Sequence, residues 1–260
     1  MQLIPVKNIP IIDFGTDLKL STVVIKALRD QSLALKEKDV LVIAHTLVSK
    51  IEGRVLNLRD VTPGLKAEEI AKRTGKDPAL VEVILRESKE IVKEAGPVLI
   101  AESRCGSISA NAGVDQSNAG PFGQDQERWV VLLPENPDQS AQDLLQAVRQ
   151  EFSVQDAGVI ISDTQGRPFR VGAVGVALGA AGIKPLADWR GHKDLYGREL
   201  LSSEEAVADE LASAATILMG QSSEGIPLVV VRNAPIEFGT GSAVELARPK
   251  EKDIFRAGPK

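Results

Sequence analysis

Short runs of consecutive apolar residues alternate along this chain with longer stretches whose apolar positions recur every three or four residues. The first kind suits strands buried on both faces, and the second suits amphipathic helices packed against them. Residues 2–6, 39–44 (DVLVIA), 97–103, 128–133, 159–161 and 226–231 read as strands. Helical spacing appears at 18–28 with Asp17 or Ser21 as a cap, at 63–74, and at 77–94, the last two separated by Gly75-Lys76. A further helix starts at Ser140, with Gln142 or Asp143 near the capping-box position, and ends near Phe152. Another starts at Ser202, with Glu205 at its capping-box position and Gly220 as its stop. Strands interleaved with helices predict an α/β protein of mixed α+β organisation. With no internal repeat, low-complexity run or clear linker, residues 1–245 read as a single unit, and 246–260 as a charged tail that frays.

Several strands empty into polar loops, and there the candidate chemistry gathers. The run 159–161 stops at Ser162-Asp163-Thr164, with Gly166 close behind. A carboxylate and a hydroxyl at a strand end beside a glycine turn suit a hard cation or a phosphate. The following residues, to about 200, are rich in both glycine and charge. They read as an active-site segment, with glycines where backbone comes close and charges where a ligand is held. DVLVIA runs into the segment that starts at His45, where Thr46, Ser49, Lys50 and Arg54 either face one ligand or belong to a solvated strand-to-helix junction. Asn111, Asp115 and Asn118 lie in a small-residue loop around Gly113, as turn formers or as ligands. Asp115 and Asp163 each follow a strand and each lack a local basic partner, so both could converge on divalent cations. The loop 221–225 (QSSEG) is a helix-to-strand connection or a phosphate-side lid.

Charge and composition narrow the partners. A net charge of −5 argues against general nucleic-acid binding, and an aromatic content of 3% disfavours stacking platforms for single strands. The lone cysteine, Cys105, excludes a disulfide framework and a four-cysteine zinc site, so a reducing cytoplasm is the simple reading. No apolar run is long enough to span a bilayer. The sequence holds no P-loop, no GxGxxG opening a helix, no HExxH and no CxxC. Its two histidines, His45 and His192, have no nucleophile motif beside them, and His192 sits in a cationic turn readable as a solvated loop. What remains is a divalent-metal, phosphate-handling enzyme, since phosphoryl transfer needs mainly charge placement.

Longer motifs add to this. LIPVKNIP at 3–10, NAGVDQSN at 111–118, SDTQGRPFRVGAVGVALGAAGI at 162–183, DWRGHKDLYGREL at 188–200 and LMGQSSEGIPLVVVR at 218–232 resemble the coenzyme F420-0:L-glutamate ligase family in the family's order. The resemblance implies a two-lobed α/β unit in an intertwined homodimer, with a nucleotide groove at the dimer interface. It implies a GTP-dependent amide ligase that joins L-glutamate to F420-0, a deazaflavin with a phospholactate arm, through an acyl phosphate. Mg²⁺ or Mn²⁺ would be required, with K⁺ as a further cation. Carried over by motif, Asp115 and Asp163 would hold one divalent cation, with Thr164 and Gln221 on the second. Lys7, Asn8, Ile9, Pro10, His45, Thr46, Lys50 and Asn118 would border the GTP, as would the loop Met219, Gly220, Gln221, Ser222, Ser223, Glu224, Gly225 and Ile226. Asp115, Asp163 and Lys50 would carry the catalysis. Gln221 stands where the family can carry an acidic residue, and an amide oxygen holds Mg²⁺ less strongly than a carboxylate does. Arg167 and Arg170 are alternative phosphate neutralisers, though surface salt bridges explain them as well. The rival readings are an NTP-dependent ligase for another carboxylate and a GTP-binding regulatory protein without turnover.

Overall fold

The computed structural model describes residues 1–13, 15, 17–121 and 127–256. The last four residues of the expected tail lie outside the described residues. In chain order the elements are β1 (Gln2–Val6), α1 (Leu20–Asp30), β2 (Asp39–Ala44), α2 (His45–Ile51), β3 (Val55–Asn57), α3 (Leu65–Thr74) and α4 (Pro78–Glu87). There follow β4 (Ser88–Ala95), β5 (Val98–Ser103), β6 (Ile108–Ala110), β7 (Trp129–Val131), α5 (Pro137–Phe152), β8 (Ala157–Gly166) and β9 (Ala173–Ala181). The last are β10 (Ala187–Asp188), β11 (Glu204–Glu205), α6 (Val207–Met219) and β12 (Leu228–Arg232). The α/β class expected from the pattern is the one observed.

The central sheet has five strands in the order β1-β12-β2-β8-β9. Only β2 and β8 pair in parallel; the other neighbours are antiparallel. Successive residues of each strand face opposite sides, and both sides are covered. Leu41, Ile43, Val159, Ile161, Leu228 and Val230 pack with the apolar stripes of α1 and α5. Val40, Val42, Ile160, Val229 and Val231 pack with Ala208, Leu211, Ala212 and Ala215 of α6. This explains why these strands read as unbroken apolar runs rather than alternating ones. A separate core joins α3 and α4 to Leu99 and Ala101 of β5 and to Val130 and Leu132. No helix among the described residues is long and apolar enough to cross a membrane.

Several expected boundaries move, each for a reason visible in the packing. Helix α1 starts at Leu20 with Lys19 before it, so neither Asp17 nor Ser21 caps it. Helix α4, capped by Asp77, stops at Glu87, and the charged stretch after it is strand β4 rather than more helix. A left-handed Gly96 (φ 58) turns β4 onto β5, and that pairing overrides the helical spacing. Helix α5 begins at Pro137 with Asn136 as cap, and the Ser140 hydroxyl turns instead to Glu52 at 2.5 Å. Helix α6 begins at Val207, because Glu204 and Glu205 pair with Ala187 and Asp188 as β11. The described part of the tail is docked: Arg256 binds Glu90, Asp253 and Glu102, the last at 2.8 Å, and Lys250 reaches Glu90 at 3.1 Å.

Strand β8 continues past Ile161 through Ser162, Asp163 and Thr164 to Gly166 and turns into β9. Two of the glycines here serve helix packing rather than ligand approach. A Cβ on Gly175 would lie 2.5 Å from the Ala212 backbone of α6, and one on Gly179 would lie 2.4 Å from the Pro137 backbone of α5. A bulge between Ile161 and Ser162 shifts the alternation, so the two glycines face opposite sides. Gly179→Ala should therefore cost about 1–3 kcal/mol, the usual range for overpacking. Chemical denaturation would register it as a lower midpoint at unchanged slope, and an unchanged midpoint would mean that α5 is free to shift.

Candidate active site

The sheet register decides which loops meet. Val6, Leu228, Ile43, Ile161 and Gly179 form one row across the five strands. Strand β1 leaves this end of the sheet, β12 enters it, and β2 ends there one residue later. Lys7 to Pro10, the start of α2, Asp163 and the loop before β12 therefore collect at one edge. The Ala44 N–H donates to the Pro227 carbonyl at 2.9 Å, tying two of these loops together. Because β2 and β8 are parallel with Ala44 opposite Ser162, the next residues, His45 and Asp163, are neighbours.

Asp163 is largely enclosed, its side chain 14% exposed. Its Oδ1 lies 3.3 Å from His45 Nε2 and accepts the Thr164 N–H at 2.7 Å, while Oδ2 accepts from Gln165 Nε2 at 3.1 Å. Burial pushes this carboxyl up, but the hydrogen bonds from His45, Gln165 and the Thr164 N–H outweigh it and hold it below the usual carboxylate range. Asp163 has no basic partner nearby in sequence, as expected, but His45, distant in sequence, is its neighbour in space. Thr164 Oγ1 donates to Gln221 Oε1 at 3.3 Å, so these two sequence-predicted ligands are also brought together.

The other candidates fall into place less uniformly. Lys50, in the last turn of α2, is half-buried; burial pushes its ammonium down and the charge of Asp13 opposes this. Thr46 is partly exposed, whereas His45 is 4% exposed, its ring between Asp163 and Ser49. The Lys7 N–H and carbonyl are clamped by the Gln31 amide at 3.0 and 2.9 Å, Asn8 is left-handed (φ 58), Pro10 is exposed, and Ile9 turns its side chain into the core. In the 219–226 loop, Met219 and Ile226 pack against the α6-side core, while Gln221, Ser222, Ser223, Glu224 and Gly225 are exposed. The Glu224 carboxylate accepts the Ser222 N–H at 2.8 Å and lies where any Cβ on Gly220 (φ 76) would collide.

Asp115 approaches from another sheet. Its backbone pairs with Val131, and its carboxylate accepts the Ser117 N–H at 2.9 Å and the Ser117 hydroxyl. No hydrogen bond joins it to Asp163. The link is indirect: Gln165 Nε2 reaches Ser107 Oγ at 3.0 Å, tying β8 to the strand that leads into the 111–118 turn. In that turn Asn118 is exposed, and the buried Oδ1 of Asn111 has no hydrogen-bond partner among the described residues.

Among the described residues, no group of three His, Cys, Asp or Glu side chains is placed to hold a metal by itself. The donors present are carboxylate, hydroxyl and amide oxygens, too few for a closed shell. This fits a hard cation such as Mg²⁺ or Mn²⁺, which takes one or two carboxylates and fills its remaining positions with water and substrate phosphates.

Sequence reasoning missed the roles of Gln165, Ser107 and Ser49; Gln165 lies inside the 162–183 motif, but its contacts with Asp163 and Ser107 leave no mark in the sequence. The glycine- and charge-rich segment expected after Gly166 folds as two hairpins. Arg167 Nη1 closes the β8–β9 hairpin on the Gly172 carbonyl at 2.9 Å. Four residues of extended strand, about 13 Å, separate it from Asp163. Residues 187–205 form a second hairpin, closed by β10–β11 and by main-chain bonds such as Gly191 N–H to Leu200 carbonyl at 2.9 Å. Both tips carry apolar side chains in water: Phe169 and Val171 on the first, Leu195 and Tyr196 on the second.

A model of the F420-0:gamma-glutamyl ligase family matches residues 7–233. A protein from Methanopyrus kandleri named coenzyme F420:L-glutamate ligase is 50% identical over 87% of this chain and 88% of its own length. Proteins of that name from Methanocaldococcus jannaschii and Methanothermobacter thermautotrophicus are each 45% identical, the first over 96% of this chain and 94% of its own length, the second over 98% and 99%. With the motifs in order and the family match running from just after β1 through β12, the chain belongs to the F420-0:gamma-glutamyl ligase family.

Proposed function

We propose that this ligase couples GTP cleavage to amide formation between coenzyme F420-0 and L-glutamate, through an acyl phosphate. The observation that carries the reading is the parallel β2–β8 register, which sets Asp163, Thr164, His45 and Lys50 on the sheet edge where Gln221 also arrives. The γ-phosphoryl group would pass to the terminal carboxylate of the phospholactate arm, releasing GDP. The glutamate α-amine then attacks the acyl carbon, phosphate leaves, and the amine proton passes to solvent or phosphate. Asp115 and Asp163 would hold one Mg²⁺ or Mn²⁺ and Thr164 and Gln221 a second, with K⁺ as a further cation. When bound, these ions supply positive charge to the phosphate oxygens as the phosphoryl group moves. The Lys50 ammonium, already half desolvated, neutralises the remaining phosphate oxygens. Thr46, Asn118, the 7–10 turn and the 219–226 loop would line the nucleotide. Incubation with F420-0, glutamate, GTP and Mn²⁺, followed by mass spectrometry, should show a glutamyl adduct and GDP. GDP with other carboxylate acceptors only would point to a different substrate; bound GTP with no turnover would point to a regulatory protein.

A homodimer is part of this reading, and the apolar tips of the two hairpins support it. Phe169, Val171, Leu195 and Tyr196 are all more than 90% exposed, an arrangement suited to burial against a second copy. Replacing Leu195 and Tyr196 together by serine should shift the chain from dimer to monomer in sedimentation equilibrium. A parent chain that sediments as a monomer at micromolar concentration would contradict the dimer.

A further inference from the structure

His45 combines three properties that do not suit a nucleotide contact. Its ring is buried, both of its nitrogens face protein atoms, and one of those atoms belongs to the candidate metal ligand Asp163. Nε2 lies 3.3 Å from Asp163 Oδ1 and Nδ1 lies 3.4 Å from Ser49 Oγ, one turn along α2. Ser49 is itself fully buried, and His45 is its side-chain partner among the described residues. For a neutral imidazole only one proton arrangement serves all three groups: the Ser49 hydroxyl donates to Nδ1, and Nε2–H donates to the carboxylate. Gln165, anchored on Ser107, donates to the other carboxylate oxygen at 3.1 Å. Asp163 is thereby held at both oxygens, Oδ1 by His45 and the Thr164 N–H and Oδ2 by Gln165, which fixes its plane and leaves a lone pair of Oδ2 for a cation.

We propose that His45, held in one tautomer by Ser49, is a positioning residue that orients the Asp163 carboxylate toward a divalent cation. This rests on the reading of Asp163 as a cation ligand. Partners that orient a ligand in this way typically change metal affinity 10- to 100-fold when removed.

The test is Mn²⁺ titration by electron paramagnetic resonance on the full chain without nucleotide, with thermal unfolding to confirm folding. His45→Leu should weaken Mn²⁺ binding by about 10-fold or more. His45→Gln, whose amide nitrogen can replace Nε2–H, should recover most of that loss. Ser49→Ala should give a smaller loss of the same kind. In turnover assays His45→Leu should lower kcat with little change in the KM for GTP. Unchanged Mn²⁺ affinity in His45→Leu, with a raised KM for GTP, would overturn the proposal and make His45 a nucleotide contact. Should His45→Leu not fold, Ser49→Ala decides: affinity equal to the parent's overturns it. Asp163→Asn separates the two levels. If it abolishes Mn²⁺ binding while His45→Leu does not, only the positioning role fails; if it too binds Mn²⁺ normally, the cation reading of Asp163 fails as well.

Discussion

Asp163→Asn is expected to lower turnover by about 1,000-fold or more while the protein stays folded. Metal-borne charge stabilisation is worth several kcal/mol, and each 1.36 kcal/mol is a factor of ten in rate. The substitution is nearly isosteric, and the amide oxygen of the new side chain can still accept from Thr164 N–H and His45 Nε2, the partners now seen. What it removes is the anionic oxygen and the second acceptor that Gln165 uses. Circular dichroism should match the parent, so the lost rate can be assigned to the site. Near-normal turnover in this variant would remove Asp163 from the metal site.

The largest effect on stability is expected at the opposite end of the same strands. Asp39 opens β2 with no exposure to solvent, and Arg232 closes β12 directly across from it. Three hydrogen bonds join them, Nε to Oδ1 at 3.0 Å and to Oδ2 at 3.2 Å and Nη2 to Oδ2 at 2.7 Å, and Nη2 also reaches the Ala34 carbonyl at 3.0 Å. Arg232→Met would leave a buried carboxylate with the Lys36 N–H at 2.9 Å as its main remaining donor. Breaking one side of such a pair costs about 3–5 kcal/mol. At roughly 2–4 °C per kcal/mol for a chain of this size, the melting temperature should fall by about 10 °C. Adding Asp39→Asn should recover part of the loss, because the neutral amide does not carry the desolvation penalty of an ion. A melting temperature unchanged in Arg232→Met would mean that water reaches Asp39.

How much of this was legible in the sequence depended on whether the deciding contacts were local. The runs 39–44 and 159–161 are apolar without alternation because the sheet is covered on both sides, and they were legible as buried strands. Residues 88–95 carry no such signal; with charges spaced as on a helix, they became β4 only through pairing with β5. Gly175 and Gly179 looked like ligand-facing glycines, because glycine marks close backbone approach without saying what approaches. Here it is the backbones of α5 and α6. The strand-end position of Asp163 could be read from the chain, but its neighbour His45 could not, because that adjacency comes from the β2–β8 register across more than a hundred residues. The strand-end donors could be named in advance, while the groups that hold them could not.

Glutamate ligation through an acyl phosphate leaves an isotopic trace. F420-0 labelled with oxygen-18 in its terminal carboxylate would be incubated with the enzyme, GTP, Mn²⁺ and L-glutamate, and the products weighed by mass spectrometry. The expected products are a glutamyl adduct that has lost one labelled oxygen and inorganic phosphate that has gained it. Adduct formation with unlabelled phosphate, or GTP cleavage with no adduct, would contradict the acyl-phosphate route.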